Sequence, residues 1–323
     1  MQNRAAALLL FAVALLTRLG YVDESWGQAK IAHLGVLTFA GDAAEEPLRR
    51  TLAAYGWMEG KNLALEFRKP SGDPPQFADA AAELVRLNVD VLCADSAPAT
   101  RAAYAATRTI PILALDFTND PVAAGYVESY GRPGRNLTGV FLNAPEFAAK
   151  WLELLKALIP RLSRVAVLWD PSPGTMHLEA LRAAAPSFGV KLEVLEVRKS
   201  DQLDRALAGL RGRAQALVIL PSPMTWGESA RLAELAKKHG LPATSMAPKF
   251  AESGGALTYG PDLASAVERL SVLAAKVLGG ARPADLPVEQ PARYNLIVNL
   301  KTIKSLGLSV PDSVRVRADQ VIR

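Results

Sequence analysis

The sequence predicts an α/β protein built from two doubly wound domains, and three observations carry that reading. Short apolar runs alternate with stretches of helical period, the pattern of parallel strands joined by crossover helices. The alternation runs once from Ile31 and restarts near Asn143, so two series of domain length follow one another. At 323 residues and 50% hydrophobic, the chain holds enough apolar material for two modest cores.

In the first series, Ala32–Leu37, Asn62–Phe67, Asp90–Ala94, Ile112–Leu115 and Leu137–Phe141 read as strands. Helical periodicity lies between them over Leu48–Tyr55, Phe77–Leu87 and Ala99–Ala106. The second series places strands at Arg164–Trp169, Lys191–Val197, Ala216–Leu220 and Ala256–Tyr259. Its helices cover Pro145–Leu158, Thr175–Phe188, Gln202–Leu210 and Glu228–His239. Unbroken aliphatic runs such as Ile112–Leu115 suit strands covered on both faces.

Ligands of open parallel sheets sit outside the carboxyl ends of the strands, where loops and helix N-termini converge. The chemistry-bearing residues fall at those ends. Thr38, Phe39 and Asp42 follow the first strand, Asp95 and Ser96 the third, and Asp116, Phe117 and Asp120 the fourth. The second series ends in Trp169, Asp170 and Ser172, then Ser222, then Tyr259. Asp, Ser and Pro at such points are also ordinary turn and capping residues, and Ser96 and Asp120 read equally well that way. The rings of Phe39, Phe117, Trp169 and Tyr259 are not required by turns. Together they suit a small organic ligand held between two domains. On that reading, backbone N–H groups ahead of Pro98 hold a carboxylate, Asp116 or Asp120 pairs with an ammonium group, and the rings clamp a flat apolar portion.

Composition removes several other classes. The formal charge of +5 comes from basic residues scattered singly, without the stripe that binds nucleic acid. The single cysteine, Cys93, lies inside the run Val91–Ala94 and reads as a small core residue, so no disulfide framework is expected. No GxGxxG, Walker A, HExxH or GxSxG pattern occurs, and His33, His177 and His239 are scattered, so neither a cofactor nor a metal is expected. At the N-terminus, Arg4 precedes the apolar stretch Ala5–Leu16, which is short for a membrane span. Gly27-Gln28-Ala29 then fits the small-x-small pattern for cleavage, so residues 1–29 read as a secretory signal peptide and the mature protein as periplasmic.

Longer segments then carry a resemblance. YGWMEGKNLALEFR (55–68), FADAAAELVRLNVDVL (77–92), the Asn119-Asp120-Pro121 turn and YGRPGRNLTGV (130–140) are joined by ELLKALIPRLSRVAVLWDP (153–171), FAESGGALTYGPDL (250–263) and RPADLPVEQPARYNLIVNLKTIKSLGL (282–308). With these the sequence resembles the ABC-transporter substrate-binding proteins of the tryptophan/tyrosine transport type, over nearly the whole mature chain. The resemblance implies a type I periplasmic binding-protein fold: two Rossmann-like lobes joined by three crossing segments that close over a ligand. It implies a monomeric solute-binding component of an importer, carrying an aromatic amino acid or related aromatic or carboxylate compound to an ABC permease in the inner membrane. Two places depart from the family's pattern. Asp95-Ser96-Ala97-Pro98 stands where Gly-Thr-Pro is usual, and Asn119 stands where the turn usually has glycine.

Combining the restarted rhythm with the family's three crossings, lobe one is expected at residues 31–142 plus 261–284, and lobe two at 143–260 plus 285–323. The crossings then fall near Leu142–Pro145, Tyr259–Pro261 and Ala284–Pro287, where prolines interrupt pairing or open helices. The competing reading is an exported α/β enzyme, a hydrolase or transferase, with Asp116 and Asp120 as an acid pair. A ligand-responsive regulator on the same fold would need a DNA-binding head, and the N-terminus offers a leader instead.

Overall fold

The apolar runs of the first series become the strands of one parallel sheet. In the computed structural model, which describes residues 31–38, 45–70, 74–210 and 212–323, these are β1 (Ala32–Leu37), β2 (Leu63–Arg68), β3 (Val91–Ala94), β4 (Ile112–Asp116) and β5 (Leu137–Phe141). The expected leader, residues 1–29, lies outside the described residues, as do Phe39 and Asp42. The strand order is β2-β1-β3-β4-β5 with every pair parallel. Side chains alternate between the two faces, as the pleat requires. Leu113 and Leu115 pack under the helices Glu45–Ala54 and Leu263–Leu278, while Ile112 and Ala114 pack against Pro74–Arg86 and Ala97–Ala106. Helices on both faces explain why β3, β4 and β5 are buried end to end. Gly139 is essential to this pairing, because a Cβ there would lie 1.9 Å from the Ala114 carbonyl oxygen.

The second series forms β6 (Arg164–Trp169), β7 (Lys191–Glu196), β8 (Ala216–Ile219), β9 (Ala243–Ser245), β10 (Leu257–Pro261), β11 (Tyr294–Asn299) and β12 (Gln320–Ile322). Their order is β12-β11-β10-β9-β8-β6-β7, parallel throughout except for the antiparallel pair β10–β11. Val165 and Val167 meet the helices Ala144–Leu158 and Met176–Ala184 on one face. Ala166 and Leu168 meet Leu203–Ala208 and Ser229–Lys238 on the other. Ala32–Arg323 thus folds as one compact unit of two sheets, each carrying its own helices.

Among the described residues the chain passes between the lobes three times. The first passage links β5 to the Ala144–Leu158 helix, and the second links β10 to the Leu263–Leu278 helix, whose apolar face packs on the first sheet. The third lies further along than Ala284–Pro287. Leu286–Glu289, expected in the second lobe, instead bonds to the first: Thr138 Oγ1 donates to Leu286 O at 2.8 Å. Glu289 N donates to Gly139 O at 2.8 Å, and Phe141 N to Glu289 O at 2.9 Å. The exposed edge of β5 offers unpaired backbone groups, and this extended segment satisfies them. A bidentate Arg269–Glu289 pair, with both N–O distances 2.7 Å, ties the segment to the long helix. The chain leaves the first lobe only after Glu289.

Cys93 is buried in β3, and burial, with a smaller contribution from the Asp95 charge, pushes its thiol up to about 12. No helix among the described residues is long and apolar enough to cross a membrane.

Candidate functional site

The carboxyl ends of both sheets face a cavity of about 360 Å³ between the lobes. The first lobe contributes Asp95 to Pro98 from the end of β3, Leu115 to Thr118 from the end of β4, Pro47, and Leu263, Ala264 and Val267 from the long helix. The second contributes Pro173, Pro221 to Pro223, Trp226 and Met246. The wall is therefore mostly proline, aliphatic and aromatic, with a few polar groups at the strand ends, the composition of a small-molecule site.

At the end of β4, Asp116 is fully buried. Its Oδ1 accepts from Thr118 N (2.8 Å), Thr118 Oγ1 (2.9 Å) and Asn119 N (3.2 Å), and its Oδ2 from Asn119 Nδ2 (2.7 Å). Burial raises its pKa from the ordinary value, while these four bonds pull the other way. This carboxylate shapes the loop, and so delivers Phe117 to the cavity. Phe117 packs against the cores of both lobes. At the end of β3, Ser96 caps the Ala97–Ala106 helix, its Oγ accepting from Ala99 N at 3.4 Å. Its neighbour Asp95 is steadied by Thr38, whose hydroxyl donates to Asp95 Oδ2.

In the second lobe, Ser222 opens the Pro223–Gly227 helix from the opposite wall. Its Oγ accepts from Thr225 N at 3.1 Å, and its own N–H donates to Thr225 Oγ1 at 2.9 Å. One turn of helix then carries Trp226 into the cavity. Beside the main cavity is a second of about 10 Å³, lined by Trp169, Asp170, Gly174 and His177 among others. His177 is buried and donates through Nε2 to Phe117 O at 2.6 Å, a bond between the lobes. Its Nδ1 is then a buried acceptor without a partner. Burial holds its pKa down at about 4, although the bond to Phe117 opposes this.

Of the residues expected at the ligand, Asp95, Ser96, Asp116, Phe117 and Ser222 line the main cavity. Thr38 stands behind Asp95. The other expected residues that the structure describes lie away from this wall. Asp120 is absent from the wall: its Oδ1 accepts from Val122 N (2.8 Å) and Ala123 N (2.9 Å), and its Oδ2 from Tyr130 Oη (3.4 Å). It closes its own turn, and Asp116 is spent on the Thr118–Asn119 loop, so the two acids form no pair about one ligand. Tyr259 stacks between Phe147 (centroids 5.1 Å apart) and Tyr294 (5.7 Å), so its ring belongs to the core beside the passages. Trp169 donates from Nε1 to Gly174 O at 3.0 Å and meets the small cavity only. Asp170 accepts Ser172 N (2.9 Å) and Ser172 Oγ (3.0 Å), making a turn that closes on itself. Sequence reasoning missed Trp226, Met246 and His177. For Trp226 a signal existed: it stands four residues after the capping Ser222, where a single helical turn brings it back toward the same face.

Among the described residues no cluster of His, Cys, Asp and Glu is placed to hold a metal. Two doubly wound lobes, three passages between them and an apolar cavity at the facing strand ends define a type I periplasmic binding fold, a clamp for a small solute. The profile of the family described as ABC transporter substrate binding protein matches residues 38–322, and the chain belongs to that family of binding proteins rather than to an enzyme family. The tyrosine-binding protein of Clostridioides difficile (strain R20291) is 26% identical over 271 residues, covering 83% of this chain and 77% of that protein. A conserved domain protein from Vibrio cholerae superposes with a TM-score of 0.84 at 27% identity, over 90% of this chain and all of that one. An ABC domain from Streptococcus pneumonia, solved in complex with L-Trp, shares the fold with a TM-score of 0.82 at 24% identity, over 90% and 99% of the two chains.

Proposed function

We propose that this chain is the exported solute-binding component of an ABC importer, and that its cargo is a small aromatic solute of about amino-acid size. The carrying observation is the cavity of about 360 Å³, into which Phe117 projects from one lobe and Trp226 from the other. Two rings on opposed walls can clamp a flat body when the lobes close, and aromatic pairs add about 0.5–1.5 kcal/mol beyond the area they bury. Asp95, Ser96 and Ser222 supply the polar contacts that orient it. The tyrosine-binding relative supports an aromatic cargo. The Arg4-led apolar stretch supports export with cleavage after Ala29, and the family role supports delivery of the solute to a permease in the inner membrane, which we read the protein as doing as a monomer.

Native mass spectrometry on protein recovered from an exporting host tests this directly. The expected product begins at Lys30 and carries one small organic solute, which calorimetry then confirms at one site. A product that still begins at Met1 sinks the export reading. Protein that neither carries a solute nor binds any from a metabolite extract sinks the binding role.

A further inference from the structure

We propose that His177 is the latch of the clamp: its imidazole holds the lobes closed through the Phe117 carbonyl, and the bond breaks when the solute leaves. The proposal rests on the solute-binding reading above and concerns only how the lobes stay shut over the cargo. His177 Nε2 donates to Phe117 O at 2.6 Å across the cleft. A carbonyl oxygen only accepts, so the ring carries its proton on Nε2. Nδ1 is buried and has no partner among the described residues. The hydrogen bond that the ring does make therefore runs to the other lobe.

Both partners are held firmly from their own side. Phe117 lies in the loop that Asp116 closes with four bonds, and it lines the main cavity. His177 stands in the first turn of the Met176–Ala184 helix. The turn leading into that helix is pinned by Trp169, whose Nε1 donates to Gly174 O at 3.0 Å. The imidazole packs on Trp151 and Phe147, with ring centroids 5.7 and 6.3 Å away. Those two rings belong to the Ala144–Leu158 helix, which receives the first passage between the lobes. Phe147 also meets Tyr259 at 5.1 Å and Tyr294 at 5.9 Å, beside the second and third passages, and Trp151 Nε1 donates to Tyr259 O at 3.0 Å. His177 is thus seated on the aromatic cluster through which all three passages enter the second lobe. Tilting the lobes about those passages parts donor from acceptor, since each is fixed within its own lobe. Arg101 also reaches across, to Ser172 O, but that bond is exposed and long at 3.4 Å.

Inside the closed cleft, the Phe117 carbonyl has His177 in place of water. Removing the donor leaves that acceptor unpaired, which costs more than the net worth of the bond. The cost falls on the closed form alone, because water reaches the carbonyl once the lobes part. The latch therefore governs the escape of the solute rather than its entry.

Stopped-flow kinetics on the full exported protein test this, with L-tyrosine, L-tryptophan and the solute that native mass spectrometry releases from it as probes. His177→Phe keeps a flat ring on Trp151 and loses the donor. It should raise the dissociation rate at least about fivefold and change the association rate by less than about twofold. His177→Gln puts an amide N–H near the place of Nε2 and should stay within about twofold of the native dissociation rate. His177→Asn, whose amide stops short, should match His177→Phe; if the Phe variant does not fold, the Gln and Asn variants decide. In protein labelled with 15N-histidine, the ring N–H that His177→Gln lacks should be protected from exchange with solute bound and exchange freely without it. An unchanged dissociation rate in His177→Phe overturns the proposal. So do equal rates in the Gln and Asn variants, or a ring N–H equally protected in solute-free protein. In those cases solute binding, and the proposed function, stand; a protein that binds none of the probes counts against both.

Discussion

At the end of β4, Asp116 folds back to accept the backbone N–H and hydroxyl of Thr118; at the end of β6, Asp170 does the same with Ser172. The two turns are chemically alike, Asp-Phe-Thr and Asp-Pro-Ser, and each ends a core strand of its lobe. Their surroundings differ. Asp116 takes two more bonds from Asn119 and itself lines the main cavity with Phe117 and Thr118, whereas Asp170 lines only the small one, and its loop reaches the main cavity through Pro173 alone. The residue in the middle accounts for much of this. Phe117 has a ring to put between the lobes, while Pro171 has only a stiff bend. In these two turns the acid serves to turn the chain, and what faces a cavity is set by the residue the turn carries.

The comparison is tested most severely by removing each acid. Asp116→Ala strands four donors in a fully buried loop and should cost about 3–5 kcal/mol, with solute binding lost as Phe117 moves. Asp170→Ala loses two bonds to a single residue and should cost about 1–2 kcal/mol, with binding largely kept. Denaturant melts and calorimetry read both; equal losses at the two sites would show that the turns are equivalent after all.

Acid reaches the two ends together, through His177. Its folded pKa of about 4 lies below the ordinary 6.5, so the unfolded chain binds the proton more readily. Stability is fully present above about pH 6.5 and is lost as pH falls toward 4, by about 3 kcal/mol at most. His177→Phe should remove that acid-side loss, at the cost of the bond to Phe117 O. Melting temperatures across pH 4–7 for both proteins decide the matter, and an unchanged profile in the variant would place the proton elsewhere.

The smallest effects separate the two capping serines. Ser96→Ala and Ser222→Ala should each cost about 0.5–2 kcal/mol. Ser222 also holds the Trp226 turn through Thr225, so its loss should weaken solute binding more than the loss of Ser96 capping alone predicts.

The strand β11 (Tyr294–Asn299), antiparallel to β10, went unread, although central strands of both lobes such as β4 and β8 were legible because covered parallel strands must be aliphatic from end to end, as Ile112–Leu115 is. β9 was not: Ala243–Ser245 is three residues, two of them polar, and only its neighbours β8 and β10 make it a strand. β12, Gln320–Ile322, is equally short. The site was half legible. That strand ends gather around the cavity follows from the fold, but which ring turns inward depends on the phase of the last few residues. Tyr259 stacks within its own lobe, Trp169 meets only the small cavity, and Phe117 packs against both lobes; composition alone does not distinguish these outcomes. For Asp120 the ambiguity is of a related kind, since a carboxylate that closes a turn, as its bonds to Val122 N and Ala123 N do, and one that meets an ammonium group have the same letter in the same place.

The burial of Cys93 has a practical consequence. A thiol whose pKa stands at about 12 and which is enclosed in β3 is hardly ever a thiolate at neutral pH, so alkylating dyes will pass it by. Since it is the sole cysteine of the chain, a second one introduced at an exposed position such as Val122 would be the single point of fluorophore attachment. Without any need to delete the native thiol, the protein can be turned into an optical sensor whose signal follows the movement of its lobes.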